Sequence, residues 1–206
     1  MKKEKVQLNL GCGIHLVSGF VNIDVAFSLA DLKRDVKAKK GVFENAVIEK
    51  GAKFIQCDMK KLPFKDNSVD YIESNCSIEH IPMNEVIVVF CEIHRVLKPG
   101  CHAVIVTTDF ADLARMYLEE CNKEDFDTER FFRVCSFIYG NQITSGEYHC
   151  SAFSPWYLKR LSDTAGFKDI KVILHPRYTV CPKLRTVRWS KGMVLTSDFL
   201  YAKLTK

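Results

Sequence analysis

The chain has 206 residues and a formal net charge of +5, and 47% of its residues are hydrophobic and 27% charged. This length suits one domain with a full core, and the composition is that of an ordinary water-soluble globule. No apolar stretch approaches the roughly 18–20 residues that a membrane-spanning helix needs. The sequence therefore excludes a helical membrane protein.

Strands and helices alternate along the first half of the chain, which predicts an α/β protein. Five strands are predicted from apolar runs, at 6–10, 20–24, 53–57, 69–74 and 102–108. Two helices are predicted between them, at 27–40 and at 84–98, and the apolar residues of the second recur at helical spacing. Lys98-Pro99-Gly100 is expected to end that second helix.

The second half of the chain departs from this simple alternation. Its helices are predicted at 110–121, at 128–138 and from Ser154-Pro155-Trp156 to near residue 165. Two more strands are predicted, at 167–174 and 198–204. We expect a single domain over 1–206, with the aromatic-rich stretch 110–153 as a helical and loop cap over the carboxyl edge of the sheet.

Residues with useful chemistry follow each of the first four predicted strands: Gly11-Cys12-Gly13, Asp24, Asp58-Met59 and Ser74-Asn75. The carboxyl ends of parallel strands meet at one edge, where open α/β sheets bind ligands. Glycines let the backbone approach a ligand closely, and an acid after the second strand can accept both ribose hydroxyls. Asp58 can accept from an exocyclic amine, and Met59 can cover a purine ring. Together they predict a site for the adenosine part of a cofactor.

Longer motifs connect these residues with a known family. They are Leu8-Asn9-Leu10-Gly11-Cys12-Gly13, Leu62-Pro63-Phe64-Lys65-Asp66-Asn67-Ser68-Val69-Asp70, Glu79-His80-Ile81 and Glu92-Ile93-His94-Arg95-Val96-Leu97-Lys98-Pro99-Gly100. With these motifs the chain resembles the class I S-adenosylmethionine-dependent methyltransferases, in particular the type 11 group, over residues 6–174. The resemblance implies a Rossmann-like α/β fold: a mostly parallel seven-stranded sheet with a terminal antiparallel strand and helices on both faces.

The same resemblance implies an enzyme that transfers a methyl group from S-adenosyl-L-methionine to a hydroxyl or amine of a small molecule, such as a sugar, a nucleotide-sugar or a secondary metabolite. The residues expected to bind the cofactor are Asn9, Gly11, Cys12, Gly13, Asp24, Asp58, Met59 and Asn75. Two other interpretations stay open. One is a non-catalytic S-adenosylmethionine-binding module, and the other is an NAD-dependent nucleotide-sugar oxidoreductase.

The first motif departs from the family pattern in ways that bear on the cofactor. Asn9 replaces the usual acid, and His15 replaces a third glycine. Only residues 14–19 separate the glycines from the second strand, which leaves room for about one helical turn of 3.6 residues per turn. A dinucleotide needs a helix N-terminus for its pyrophosphate. The short link therefore favours S-adenosylmethionine over NAD.

Two histidines are candidates for a catalytic base. His80 follows the fourth predicted strand, and His149 ends the polar loop that starts at Gly140. Imidazole can take up a hydroxyl proton near neutral pH, although each histidine could instead fix local structure. If they are functional, four other side chains are expected to contact the acceptor: Tyr139, Asn141, Gln142 and Tyr148.

The positive charge is concentrated near the end of the chain. Residues 170–197 contain six Lys and Arg residues and no acid. This stretch could bind an anionic acceptor or form a solvated loop. It matches no nucleic-acid-binding module, so a nucleic-acid partner is not expected.

The nine cysteines include no Cys-x-x-Cys pair and lie mostly in apolar runs. The N-terminus also lacks the apolar core of a signal peptide. These features predict buried, reduced thiols in a cytoplasmic protein with no metal site.

Overall fold

The computed structural model of the protein describes residues 5–38, 46–142, 146–175 and 199–206. The strands in these parts of the chain are β1 (Gln7–Leu10), β2 (His15–Leu16), β3 (Val21–Asp24), β4 (Val47–Ile48), β5 (Lys53–Gln56), β6 (Val69–Asn75), β7 (Leu97–Thr108), β8 (Asp169–His175) and β9 (Phe199–Thr205). The α-helices are α1 (Leu29–Ala38), α2 (Val86–Val96), α3 (Phe110–Cys121), α4 (Thr128–Tyr139) and α5 (Pro155–Ala165). None of these described helices is both long and apolar enough to cross a lipid bilayer.

Seven strands form one sheet in the order β5-β3-β1-β6-β7-β9-β8. Neighbours are parallel from β5 through β7, whereas β9 runs antiparallel to both β7 and β8. The predicted Rossmann-like α/β fold with an antiparallel final strand is therefore confirmed. β9 lies inside the sheet, because β8 pairs with its outer side.

The main core lies between the sheet and helices α2 and α5. Successive side chains of a strand point to opposite faces, and β6 shows this directly. Ile72 packs in the core with α2 and α5, while Tyr71 packs on the other face with Phe20. Helix α2 ends at Val96, earlier than predicted, because Leu97 is already extended and pairs with β6 as the first residue of β7. Lys98-Pro99-Gly100 consequently lies within a strand.

The link between β1 and β3 contains no helix, which agrees with the expectation that residues 14–19 are too few for the usual helix. Its residues His15 and Leu16 form β2, which pairs in parallel with β4. The side chain of Asn22 replaces helical hydrogen bonds, since its Oδ1 accepts from the N–H of Val17 at 3.0 Å and its Nδ2 donates to the Val17 carbonyl at 2.9 Å. Asn9 Nδ2 donates to Asn22 Oδ1 at 2.9 Å and to the His15 carbonyl at 3.3 Å. We call these contacts the asparagine lock.

Residues 146–153 form a strap that connects the α3–α4 pair to the carboxyl edge of the sheet. The N–H groups of Cys150 and Ser151 donate to the Glu79 carbonyl, at 2.7 and 3.0 Å. Ser151 Oγ donates to the Ile81 carbonyl at 2.5 Å, and the N–H of Phe110 donates to the Phe153 carbonyl at 2.9 Å. The strap therefore lies against the 3-10 turn Ile78–His80 that follows β6.

Candidate active site

A cleft of about 480 Å³ opens at the carboxyl ends of β1, β3, β5 and β6. We call it the cofactor cleft. Its walls are lined by Gly11, Gly13, Ile14, Ile23, Asp24, Val25, Ala26, Phe27, Cys57, Asp58, Met59, Cys76, Ser77, His80, Ile81, Gly146 and Glu147. Its size falls within the range of small-molecule sites. Five of the eight residues predicted to bind the cofactor are brought together here.

Asp24 ends β3 with its carboxylate fixed by two backbone groups. Oδ2 accepts from the N–H of Gly13 at 2.9 Å, and Oδ1 accepts from the N–H of Ala26 at 2.9 Å. An ionised carboxylate offers about four lone-pair positions. Each oxygen can therefore still accept one hydrogen bond from a ligand in the cleft.

Gly11 is required by the protein's own packing as well as by the turn. Its φ is +63°, and a Cβ at this position would lie 2.3 Å from the Cβ of Ser77. Ser77 Oγ in turn donates to the Leu10 carbonyl at 3.2 Å. The glycine therefore lets the segment after β6 pack directly on the first turn of the cleft.

Asp58 and Met59 follow β5 and form the far wall. Asp58 Oδ1 accepts from the N–H of Lys60 at 2.8 Å, and Lys60 Nζ lies 3.4 Å from Asp58 Oδ2 and also pairs with Glu85. The Met59 methyl group approaches the Gly11 turn. The acid is thus held by a turn and a lysine, while the methionine supplies an apolar surface.

Three predicted cofactor residues do not line the cleft. Asn9 is buried in the asparagine lock. Cys12 is buried among Leu16 and Leu32, and burial, with the Asp24 charge, raises the pKa of its thiol well above the usual range. The Asn75 amide oxygen contacts the Cys76 thiol at 3.6 Å. The structure therefore places these side chains behind or beside the cleft.

A second cavity of about 140 Å³ lies beneath α4 and the strap. We call it the inner pocket, and it is lined by Cys76, Glu79, His80, Thr108, Ser136, Phe137, Gly140, Asn141, Glu147, His149 and Phe199. Cys76, His80 and Glu147 also line the cofactor cleft. The two cavities therefore share a wall.

The two candidate histidines lie together at this shared region. Their rings meet edge to face, with centroids 4.8 Å apart. His80 Nδ1 contacts the Tyr148 carbonyl at 3.0 Å, and His149 Nδ1 contacts the Phe137 carbonyl at 2.9 Å. A carbonyl can only accept, so each Nδ1 carries the proton and each Nε2 is the basic nitrogen of the neutral ring.

The ionisation of His149 and Glu79 reflects this enclosed environment. Burial lowers the pKa of His149, and the neighbouring His80 lowers it further. Burial raises the pKa of Glu79, although His80 opposes that change. Glu79 is 1% exposed, and its Oε2 accepts from Thr107 Oγ1 at 3.0 Å. Its Oε1 is buried with no hydrogen-bond partner among the described residues.

Of the four predicted acceptor contacts, Asn141 lines the inner pocket. Tyr139 and Tyr148 are 55% and 48% exposed, and Gln142 is also exposed. Most of the basic stretch 170–197 lies outside the described residues. The structure therefore supports one of these side chains as a pocket residue.

Sequence reasoning missed Glu79 and Ser77 as residues of the site. Glu79 stands beside His80 in the Glu79-His80-Ile81 motif, but the sequence alone does not show that its side chain is buried. Ser77 gave no sequence signal, because its importance follows from contact with Gly11 across 66 residues of chain. Both residues follow β6, which forms the boundary between the two cavities.

Comparison with known proteins agrees with this architecture. Residues 8–105 match the sequence model of the methyltransferase domain family. The resemblance seen in the motifs is thereby confirmed: residues 8–105 match a methyltransferase domain of the class I, S-adenosylmethionine-dependent kind.

Two relatives show how far the sequence likeness extends. The sterol 4-C-methyltransferase strm-1 of Caenorhabditis elegans is 30% identical over 133 residues, which are 59% of this chain and 35% of that protein. The demethylmenaquinone methyltransferase of Staphylococcus saprophyticus is 28% identical over 123 residues, which are 56% of this chain and 48% of that protein. The matched part thus spans less than half of either relative.

Solved structures share the fold at lower identity. A Thermotoga maritima methyltransferase, named as a possible histamine N-methyltransferase, has a TM-score of 0.59 and 18% identity, covering 100% of this chain and 84% of that one. Phosphoethanolamine N-methyltransferase 2 of Haemonchus contortus has a TM-score of 0.56 and 17% identity, covering 100% of this chain and 49% of that one. These similarities establish the class I methyltransferase fold.

Proposed function

We propose that this chain transfers a methyl group from S-adenosyl-L-methionine to a hydroxyl or amine of a small molecule. The observation that carries the proposal is the shared wall between the cofactor cleft and the inner pocket. Methyl transfer requires the donor and the acceptor atom to be held in line on opposite sides of one carbon. Two adjoining cavities, both lined by His80, provide separate places for the two reactants.

The side chains of the cofactor cleft suit S-adenosylmethionine, because they offer hydrogen-bond acceptors and an apolar surface. When bound, the cofactor supplies a methyl carbon made electrophilic by the attached positively charged sulfur. In this proposal Asp24 accepts from the ribose hydroxyls, Asp58 accepts from the exocyclic amine and Met59 covers the purine. Gly11 and Gly13 form the turn beside them, and Asn9 supports that turn through the asparagine lock, whereas Cys12 and Asn75 are assigned no contact with the cofactor.

Two features favour this cofactor over a dinucleotide. The turn at Gly11 and Gly13 leads into β2, so no helix N-terminus stands there to bind a pyrophosphate. Among the described residues that line the cofactor cleft there is also no lysine or arginine. A nicotinamide cofactor would lack the groups that normally bind its phosphates.

The inner pocket is the proposed site of the acceptor, with 110–153 as its cap and 1–206 as one catalytic domain. His80 is the proposed base because it lines both cavities and its Nε2 is the basic nitrogen. General bases of this kind contribute about 10²–10⁴-fold to rates. His149 is proposed as the second member of the pair, which takes up or passes on the proton.

We further propose that the protein works in the reducing environment of the cytoplasm. The cysteines that the structure describes are all free thiols: Cys12, Cys57, Cys76, Cys91, Cys101, Cys121, Cys135 and Cys150. Free thiols are typical of compartments that keep cysteine reduced.

The test combines cofactor binding with methyl transfer. Calorimetry should show S-adenosylhomocysteine binding, and Asp24→Asn should weaken it at least tenfold, or by about 1.4 kcal/mol. Asp31→Asn on α1 is the matched control, because Asp31 pairs with Ser28 and Arg34 outside the cleft. Labelled methyl groups should then pass into acceptors from a metabolite extract.

Three outcomes would contradict the proposal in different ways. Unchanged affinity in Asp24→Asn would remove Asp24 from the site. Binding of S-adenosylhomocysteine with no transfer to any acceptor would identify a binding module instead of an enzyme. Protection from thermal unfolding by NAD alone would identify a dinucleotide-binding protein.

A further inference from the structure

The inner pocket contains a buried acid whose hydrogen-bonding capacity is only partly used. Glu79 Oε2 accepts from Thr107 Oγ1, while Oε1 is buried and unpartnered among the described residues. Native proteins seldom leave a buried polar atom unpaired, and such an atom usually has a functional reason. Glu79 itself lines the pocket, so a ligand there can supply the missing donor.

The two histidines add acceptors to the same pocket. The Nδ1 atoms of His80 and His149 are engaged with backbone carbonyls, so Nε2 of each neutral ring has a lone pair to offer. Glu79 Oε1 and these two nitrogens together require a ligand that brings hydrogen-bond donors. An ammonium group has three donors and no acceptor, whereas a hydroxyl has one donor and a carboxylate has none.

The charge of the inner pocket also favours a ligand that brings hydrogen-bond donors. The described residues that line it include Glu79 and Glu147, and no lysine or arginine. Burial raises the pKa of Glu79 and the neighbouring His80 only partly opposes this rise, so the enclosed carboxylate remains costly to ionise. A ligand cation would offset the cost of that buried charge.

The size and walls of the pocket limit what can enter. Its volume of about 140 Å³ is close to that of an engineered cavity of about 150 Å³ that holds benzene. Phe137 and Phe199 supply an apolar part of its wall. The pocket therefore suits a short hydrocarbon or ring that ends in a donor group.

We propose that the inner pocket binds a small primary amine, or the amine end of a longer acceptor, and that Glu79 Oε1 accepts a hydrogen bond from its nitrogen. This inference rests on the proposed function, since it names the acceptor class of the same site. Glu79 is the recognition residue that separates amines from alcohols and carboxylates of equal size.

The chemistry balances without another reactant. The bound ammonium gives one proton to an unprotonated Nε2 of the histidine pair. The freed nitrogen lone pair forms a bond to the methyl carbon as the carbon–sulfur bond breaks, and that electron pair stays on sulfur. The products are S-adenosylhomocysteine and an N-methylammonium ion, and the proton taken by the histidine leaves to water.

The experiment compares three size-matched probes: n-butylamine, 1-butanol and butyrate. Ligand-detected NMR titrations of the full chain, with and without S-adenosylhomocysteine, should show the amine binding at least tenfold more tightly than the alcohol and butyrate most weakly. Glu79→Gln should reduce amine affinity at least tenfold and bring it close to that of the alcohol. Glu119→Gln, an exposed acid on α3 that pairs with Arg115, should keep the amine preference.

The outcomes separate this inference from the proposed function. Equal or tighter binding of 1-butanol or butyrate would overturn the amine assignment, as would an amine preference that survives Glu79→Gln. The ranking in the native protein decides the matter even if that variant fails to fold. Absence of S-adenosylhomocysteine binding alongside a clear amine preference would overturn the proposed function and the role of the amine as methyl acceptor, while amine recognition by Glu79 would stand.

Discussion

The cofactor cleft and the inner pocket differ in how their polar groups are satisfied. Both oxygens of Asp24 accept from backbone N–H groups, one in the turn after β1 and one directly after β3. Glu79, only a short way along the edge of the sheet, is buried, and its Oε1 has no hydrogen-bond partner within the described parts of the chain. The cofactor cleft is thus held in shape by backbone groups, whereas the inner pocket contains a polar atom for which we propose a ligand partner.

The two cavities also differ in how they are assembled. The cofactor cleft is built mainly from turns that directly follow β1, β3, β5 and β6. The inner pocket takes its walls from the end of β6, the end of β7, α4, the strap and the start of β9. The position of the cofactor cleft therefore follows from the sheet alone, whereas the inner pocket depends on how the cap packs on the sheet.

The largest expected effect tests the packing that shapes the cofactor cleft. Gly11→Ala should destabilise the fold by about 3–5 kcal/mol, because its Cβ would overlap Ser77 and its φ is +63°. Gly13→Ala is the matched control, since φ is +50° but no atom lies within 4 Å of the added Cβ. Its cost should be about 1–2 kcal/mol, from the backbone alone. Urea unfolding measures both, and equal losses would contradict the Ser77 clash.

The asparagine lock should be the next largest contributor. Asn22 is fully buried, and Asn22→Ala would remove the hydrogen-bond partner of one Asn9 N–H and of both backbone polar groups of Val17, at a cost of about 3 kcal/mol in unfolding free energy. Gln56→Ala is the control, because Gln56 is exposed and makes one long bond to the Val25 carbonyl. If both variants unfold at the same urea concentration, the lock does not stabilise the β1–β3 link.

The histidine pair should affect turnover without affecting the cofactor cleft's affinity. His80→Gln should lower kcat by about 10²-fold, the lower end of general base effects. His149→Gln should lower kcat less, because His149 lines the inner pocket but, unlike His80, does not line the cofactor cleft. Steady-state kinetics with any acceptor found in the transfer assay measure both. A larger loss in His149→Gln would reverse the assigned roles.

The smallest expected effect concerns the pH dependence of stability. Burial raises the pKa of Glu79 in the folded state. The stabilisation that Glu79 gives through protonation is therefore fully present below its usual pKa of 4.5 and is lost as pH rises through the folded-state pKa. Glu79→Gln should therefore become more stable than the native chain as pH rises, by about 1–2 kcal/mol near pH 8.

Thermal melting of both proteins from pH 4 to pH 8 measures this difference. The other titratable groups that line the pocket are Cys76, His80, Glu147 and His149, and both proteins retain them. A difference that does not change with pH would show that Glu79 keeps the same ionisation in the folded and unfolded states. Greater stability together with weaker amine binding would be the signature of a residue kept for recognition.

Much of the fold could be predicted because the periodicity of strands and helices is a local property. Six of the seven strands of the sheet match their predicted positions closely, as do helices α3 and α4, whereas β7 begins at Leu97, before the predicted start at residue 102. The link over residues 14–19 could not be predicted, because its conformation depends on the Asn22 side chain bonding to backbone groups that lie close only after folding. The same holds for Asn9, whose amide serves this lock instead of the cleft wall.

The sequence by itself determined the order of the elements, the edge of the sheet that carries the site, and the placing of Gly11, Asp24 and Asp58 along that edge. These follow from which residue ends each strand. The burial of Glu79, the lack of a partner for its Oε1 among the described residues and the assignment of Nε2 as the basic nitrogen of His80 all depend on tertiary contacts. The reason is physical: burial and hydrogen bonds to backbone carbonyls such as that of Tyr148 depend on segments 68 residues apart being packed together.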